Sequence, residues 1–329
     1  PGPSRMKMEP CLGEDVHKCG LLSETRPAPA RKYAGIQMRI FLTGATGFVG
    51  SAIVATLLND KHQVLGLARS DASAEVLRQA GCDVLHGDLR DLESLRRGAE
   101  QADAVIHTAF DHDFSRMADN CEMDRIAIET MGSALAGSSK RFIVTAGLPP
   151  LMGRVSTETD ILPAGAHGMP RVTEQVAMAL ADSGVSVSVI RMPQVHDQNR
   201  QGFASYLMDH ARKHGVSAFV GDGQNRWPAV HRLDAARLYS LVLESGVSGE
   251  RYHAVSEEGV PVRHVAEAIG RRLNLPVKSL SEDESARHFG WLDRIARMDV
   301  PASSVLTSQK LQWQPVQQAD LIQDILASV

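Results

Sequence analysis

From Met38 onward the chain alternates short apolar runs with segments whose apolar residues recur at helical spacing. Met38-Arg39-Ile40-Phe41-Leu42 has the length and the β-branched or aromatic content of a buried strand, and behind it Val49, Ile53, Val54, Leu57 and Leu58 fall on one helical face. The alternation continues with strand-like runs at 63–68, 83–86, 104–108, 141–145 and 185–191, separated by helical patterns at 74–80, 91–99, 116–136 and 170–181. Repeated β-α units of this length predict a parallel sheet with right-handed crossovers and helices on both faces, the doubly wound α/β class. Beyond about residue 194 the alternation is less regular. Helical patterns cover 203–214, 233–244 and 262–273, with short strands near 217–220 and 251–255 and a turn at Gly221-Asp222-Gly223. The expected organisation is a nucleotide-binding domain over 38–193 and a smaller substrate lobe over 194–329, with some segments returning to the first domain.

The stretch Thr43-Gly44-Ala45-Thr46-Gly47-Phe48-Val49-Gly50 lies at the first strand-to-helix junction. In that setting Gly44 makes a tight turn, Gly47 lets a pyrophosphate approach the backbone, and Gly50 lets the helix pack closely on the strand. The helix N-terminus adds free N–H groups and a positive dipole, with Phe48 and Val49 at its first turn. Dinucleotide binding is the reading. Arg69 and Ser70 follow the second strand, where an NAD-selective protein usually carries an acid against the ribose 2′-hydroxyl. A cation there suits a 2′-phosphate, so NADP is expected, with NAD as the alternative.

The Gly-x-x-Gly-x-x-Gly spacing behind a threonine resembles the extended short-chain dehydrogenase/reductase superfamily, in its NAD(P)-dependent epimerase/dehydratase branch. Five further segments carry the likeness. Gly87-Asp88-Leu89 resembles the adenine-contacting Asp-Leu, and His107-Thr108-Ala109 the end of the fourth strand beside the cofactor. Val187 to Pro193 resembles a family strand and its following proline. Val230-His231-Arg232-Leu233-Asp234-Ala235-Ala236 and Leu311-Gln312-Trp313-Gln314-Pro315 resemble the family's Val-His-x-x-Asp-x-Ala and closing Leu-Gly-Trp-x-Pro. The resemblance implies a Rossmann fold and cofactor contacts at Gly44, Thr46, Gly47, Phe48, Val49, Gly50, Arg69, Ser70, Asp88, Leu89, Thr108, Ala109 and Pro193.

Family members use a Tyr-x-x-x-Lys pair, in which Tyr exchanges the proton and Lys holds the nicotinamide ribose. This chain departs from that pattern. Its tyrosines are Tyr33, Tyr206, Tyr239 and Tyr252, and none has Lys four residues on. Counting back from Pro193, the Lys slot falls near Arg171, with His167 four residues earlier. Imidazole titrates near neutrality, and a guanidinium beside it favours the neutral, base-competent form, so His167 and Arg171 form one candidate pair. Against it, Pro170 suits the first position of a helix, which leaves His167 in the preceding loop. Thr145 is the candidate for the hydroxyl after the fifth strand, and His196 is the second choice of acid-base residue. Asp111-His112-Asp113 reads as a polar loop over the cofactor, because three consecutive side chains do not converge easily on a metal. The favoured function is an oxidoreductase or epimerase/dehydratase-like enzyme for a small alcohol, carbonyl or sugar-type substrate, with an altered proton relay. The rival is a cofactor-binding sensor or regulator without turnover.

Composition bounds the remainder. In 329 residues, 43% hydrophobic, one large core or two linked ones can be buried. A formal net charge of −4 without a basic run offers nothing to nucleic acid, and no apolar stretch approaches the roughly 20 residues of a membrane span. Cys11, Cys19, Cys82 and Cys121 form no Cys-x-x-Cys pair, which fits a reducing, cytoplasmic setting. Residues 1–37 hold five prolines and no sustained apolar period, and are expected to be a disordered extension. Expected partners are a small-molecule substrate and, as an open alternative, a second copy of the chain.

Overall fold

The structure is a computed structural model and describes residues 35–151, 153–161 and 171–328. Ile40, Phe41 and Leu42 of Arg39–Thr43 (β1) are fully buried, the continuous apolar run that a parallel sheet covered on both faces requires. Phe48–Asn59 (α1), Gln63–Ala68 (β2), Asp71–Gln79 (α2) and Asp83–His86 (β3) follow. Next come Leu92–Gln101 (α3), Ala104–His107 (β4), Met117–Leu135 (α4), Arg141–Gly147 (β5), Thr173–Asp182 (α5) and Ser186–Met192 (β6). These strands pair in the order β3-β2-β1-β4-β5-β6, all parallel. The chain winds outward in opposite directions from β1 and β4, so the crossovers diverge at the carboxyl ends of these two strands. Open α/β sheets bind their ligands in that crevice.

The remaining elements are Gln194–Asp197 (β7), Arg200–Gln201 (β8), Phe203–His214 (α6), Ser217–Val220 (β9), Arg226–His231 (β10), Arg232–Ser245 (α7), Arg251–His253 (β11), Glu257–Pro261 (β12), Val262–Leu273 (α8), Val277–Leu280 (β13), Glu282–Phe289 (α9), Asp293–Ala296 (α10), Val305–Leu311 (α11) and Leu321–Ala327 (α12). Of these, β11 joins the large sheet beside β6 as its seventh strand. A four-stranded sheet runs β12-β10-β7-β8, and β13 pairs with β9. Phe219, Trp227, Ile269 and Phe289 belong to an apolar cluster of their own, the heart of a small lobe. By contrast, Leu238, Tyr239 and Val242 of α7 pack with Ile53 and Leu57 of α1 in the main core. There Asp234 stitches two distant segments. Its carboxylate accepts from the Val316 and Gln317 amides at 2.9 and 3.0 Å, and its carbonyl accepts from the indole of buried Trp313 at 3.1 Å.

Two expectations shift. The helix expected from 170 starts at Thr173, so Arg171 precedes it; His167 and Pro170 lie outside the described residues. In the second half β7, β8, β10, β12 and β13 escape the hydrophobic pattern. They are two to six residues long, and Pro228 in β10 and Gly259 in β12 are residues that weaken a strand reading.

Candidate active site

Gly44, Thr46, Gly47, Phe48, Val49 and Gly50 line a cleft of about 700 Å3 at the crevice between β1 and β4. The turn is too tight for side chains. Gly44 has φ +74, and a Cβ on it stands 2.6 Å from the Thr108 hydroxyl; a Cβ on Gly50 stands 2.0 Å from the Gly44 carbonyl oxygen. Gly47 is the N-cap of α1 and no side chain caps it, so the first amides of the helix remain for an anionic ligand. Thr43 fastens the turn to the neighbouring strand: its carbonyl accepts from the Thr108 hydroxyl at 2.8 Å, and its own hydroxyl bonds His107 Nδ1 at 2.7 Å. This arrangement of close backbone and open helix amides fits a dinucleotide diphosphate.

At one end of the cleft Arg69, Asp88 and Leu89 stand on the wall, beyond β2 and β3. Asp88 accepts from the Arg90 and Asp91 amides at 2.6 and 3.2 Å, which shapes its loop. Ser70 is not on the wall. Its hydroxyl caps α2 by accepting from the Ser73 amide at 3.2 Å, and Ser73 takes the wall position.

At the other end stand Thr108, Ala109, Phe110, Thr145, Arg171 and Pro193. The Thr145 hydroxyl bonds the hydroxyl of Tyr239 at 2.7 Å; Tyr239 is fully buried, and burial pushes its ionisation well above the usual range. Arg171 stacks over Phe110, 3.9 Å from the ring centroid. Its Nε donates to the Thr173 hydroxyl at 2.8 Å and lies 3.7 Å from the Asp124 carboxylate. Asp124 also meets His107 Nε2 at 3.0 Å and accepts from Thr173 Oγ1. Burial opposes ionisation of Asp124, but the His107 hydrogen bond and the Arg171 cation outweigh it and hold the carboxyl below its ordinary range. A buried polar chain therefore runs from Thr43 through His107 and Asp124 to Arg171.

A family model described as NAD(P)H-binding matches residues 44–217, from the glycine turn to the start of β9. The chain belongs to this NAD(P)H-binding family, within the extended short-chain dehydrogenase/reductase superfamily. Uncharacterized protein YLL056C of Saccharomyces cerevisiae is 43% identical over 295 residues, covering 88% of this chain and 99% of its own. The sterol-4-alpha-carboxylate 3-dehydrogenase, decarboxylating, of Dictyostelium discoideum is 25% identical over 241 residues, 68% of this chain and 73% of its own. Among solved structures, the dTDP-glucose 4,6-dehydratase DesIV of Streptomyces venezuelae, with NAD bound, matches with a TM-score of 0.69 at 22% identity, over 88% of this chain and 96% of its own. That last likeness concerns the fold.

The sequence holds no Tyr-x-x-x-Lys pair, and two further groups able to exchange a proton stand on the cleft wall, His112 and Tyr206. His112 is on the wall, its ring edge-on to Phe110 with centroids 5.2 Å apart. The residue is exposed, yet local desolvation in the cleft lowers its pKa from the ordinary value, and the Arg171 and Arg200 cations lower it further. In the sequence His112 belongs to the polar loop Asp111-His112-Asp113, and its place four residues after Thr108 is the signal that sets it on the wall. Tyr206 of α6 also reaches the wall.

His196 requires a correction. It is fully enclosed, off the cleft wall, with Nδ1 2.6 Å from Asp324 and Nε2 3.4 Å from Glu257. Burial lowers its pKa, yet the Glu257 and Asp324 carboxylates outweigh burial and raise it overall. Its side chain fastens β7 to α12, which leaves it no access to a substrate. Among the described residues no group of three His, Cys, Asp or Glu side chains is arranged to hold a metal ion, and no helix is long and apolar enough to cross a membrane.

Proposed function

We propose that this protein is an NADP(H)-dependent oxidoreductase of a small alcohol or carbonyl compound, with His112 in the proton-handling role that tyrosine fills elsewhere in the superfamily. One observation carries the reading: His112, Thr145 and Arg171 share a single cleft with the glycine turn. A bound nicotinamide dinucleotide supplies the hydride acceptor or donor, so the protein has to orient it and manage one proton. In alcohol oxidation the Thr145 hydroxyl hydrogen-bonds the substrate oxygen, and neutral His112 takes the hydroxyl proton as the carbonyl forms. In reduction the protonated imidazole returns it. Tyr239 does not compete for this role, because its hydroxyl is enclosed beneath Thr145; it sets the Thr145 rotamer. Arg171, anchored by Thr173 and Asp124, presents its cation beside the imidazole and favours its neutral form.

Arg69 supports NADP over NAD, since it stands on the wall where the adenosine ribose is expected. The absence of any Tyr-x-x-x-Lys favours a second reading, a cofactor-binding sensor without turnover. A panel of ketones, aldehydes and alcohols assayed with NADP(H) and NAD(H) separates the two. Turnover that collapses in His112→Ala while NADPH still binds supports the enzyme; tight NADPH binding with no turnover on any substrate gives the sensor.

A further inference from the structure

Two guanidiniums line the cleft, Arg171 from the loop before α5 and Arg200 from β8 of the four-stranded sheet. Their surroundings leave an excess of positive charge. Arg171 approaches Asp124 only to 3.7 Å, and that carboxylate is already engaged by His107 and Thr173. Among the described residues Arg200 forms no ion pair, whereas nearby Arg232 is matched by Asp197 at 3.0 Å. The wall's carboxylates are committed elsewhere, Asp88 to backbone amides and Asp111 to Arg116 at 3.2 Å. Both cations bear on His112, and around them the wall is largely hydrocarbon: Met117, Met123, Phe203 and Tyr206.

A cation pair set in an apolar wall selects a ligand with an anionic head and a hydrocarbon body. We propose that Arg200, together with Arg171, forms a carboxylate-binding subsite, so that the substrate is a hydrocarbon-bodied keto or hydroxy acid held with its carbonyl or hydroxyl toward His112 and Thr145. This rests on the oxidoreductase reading above. The other anion within reach is the cofactor diphosphate, since Arg200 lies 6.0 Å from the centroid of the Phe48 ring at the α1 N-terminus. That diphosphate already has the open amides of α1. A substrate carboxylate has no such backbone cradle and depends on the side-chain cations.

The test titrates the NADPH-saturated protein with 3-oxooctanoate and with its methyl ester, which differ in charge and hardly in shape, following the fluorescence of bound NADPH. Binding of the acid about tenfold or more tighter than the ester is expected, as for a charge-assisted contact. Arg200→Gln should bring the two within about threefold and Arg200→Lys should keep part of the preference, because a point charge retains the attraction without the fork. ADP-ribose, titrated into the cofactor-free protein, isolates the diphosphate. If Arg200→Gln weakens ADP-ribose and keeps the preference for the acid, the arginine is a diphosphate clamp and the proposal is wrong. Equal binding of acid and ester, or binding of neither, also overturns it. The titration needs no turnover, so a protein that binds the acid tightly and reduces nothing retains the subsite and loses only the oxidoreductase reading.

Discussion

The glycine turn and the corner around His112 share one cleft but are built in opposite ways. The turn is eight consecutive residues whose chemistry lies in the backbone: a positive φ at Gly44, a helix start without a side-chain cap, and contacts too close for a Cβ. The corner draws side chains from β4 and the loop after it, from β5, from the loop before α5 and from β8, a span of nearly a hundred residues. A backbone device fixes its residue types by geometry. A side-chain device can keep its task and change its residues, and the superfamily's tyrosine has gone from this chain while the glycines remain.

Breaking the support of the corner should have the largest effect. Asp124→Ala removes a buried carboxylate shared by His107, Thr173 and Arg171, and loss of one partner of a buried pair typically costs about 3–5 kcal/mol. Denaturant unfolding is expected to show a loss of that size, and a loss under about 1 kcal/mol contradicts the role given to the polar chain. Next comes the turn itself. Gly50→Ala sets a Cβ against the Gly44 carbonyl, an overpacking of about 1–3 kcal/mol that should weaken NADPH about ten- to a hundredfold by calorimetry; unchanged affinity refutes the close-packing account. For Arg69→Ala we expect about tenfold weaker NADP with NAD nearly unchanged, and a parallel loss for both cofactors removes the argument for NADP.

The smallest effect sharpens the contrast between the histidine on the cleft and the one off it. Because folding raises the His196 pKa, its charged partnership with Asp324 and Glu257 contributes stability that is fully present below the unfolded value of about 6.5 and is lost as pH rises through the higher folded value. The melting-temperature advantage of the native protein over His196→Asn should therefore shrink as pH is raised from about 6 to about 9. An advantage that grows over that range reverses the assignment.

The same contrast explains what could be read from sequence. The turn, six of the seven strands of the large sheet and the helices between them follow from local spacing and hydrophobic period. Even β11 is visible, as the run around Tyr252, although its return to the large sheet is a tertiary fact. Thr145 and Arg171 are candidates by position relative to the strands, and both line the cleft. His112 and Arg200 have no such anchor, because their place on the cleft wall comes from convergence of elements far apart in sequence. His196 misled for the converse reason: its place after β6 is near the cofactor crevice in sequence, but Asp324, 128 residues away, claims the ring.

The central claim is that His112 handles the proton, and the pH dependence of kcat for alcohol oxidation, measured in the native protein and in His112→Ala, tests it most directly. With a pKa lowered by local desolvation in the cleft and by the Arg171 and Arg200 cations, the native rate should hold steady through neutrality and fall only on the acid side of about 6.5. His112→Ala should lose about a hundred- to ten-thousandfold in rate along with that acid limb, while binding NADPH as before. A variant that keeps the native rate, or a native profile that titrates only near the tyrosine range of about 10, contradicts it.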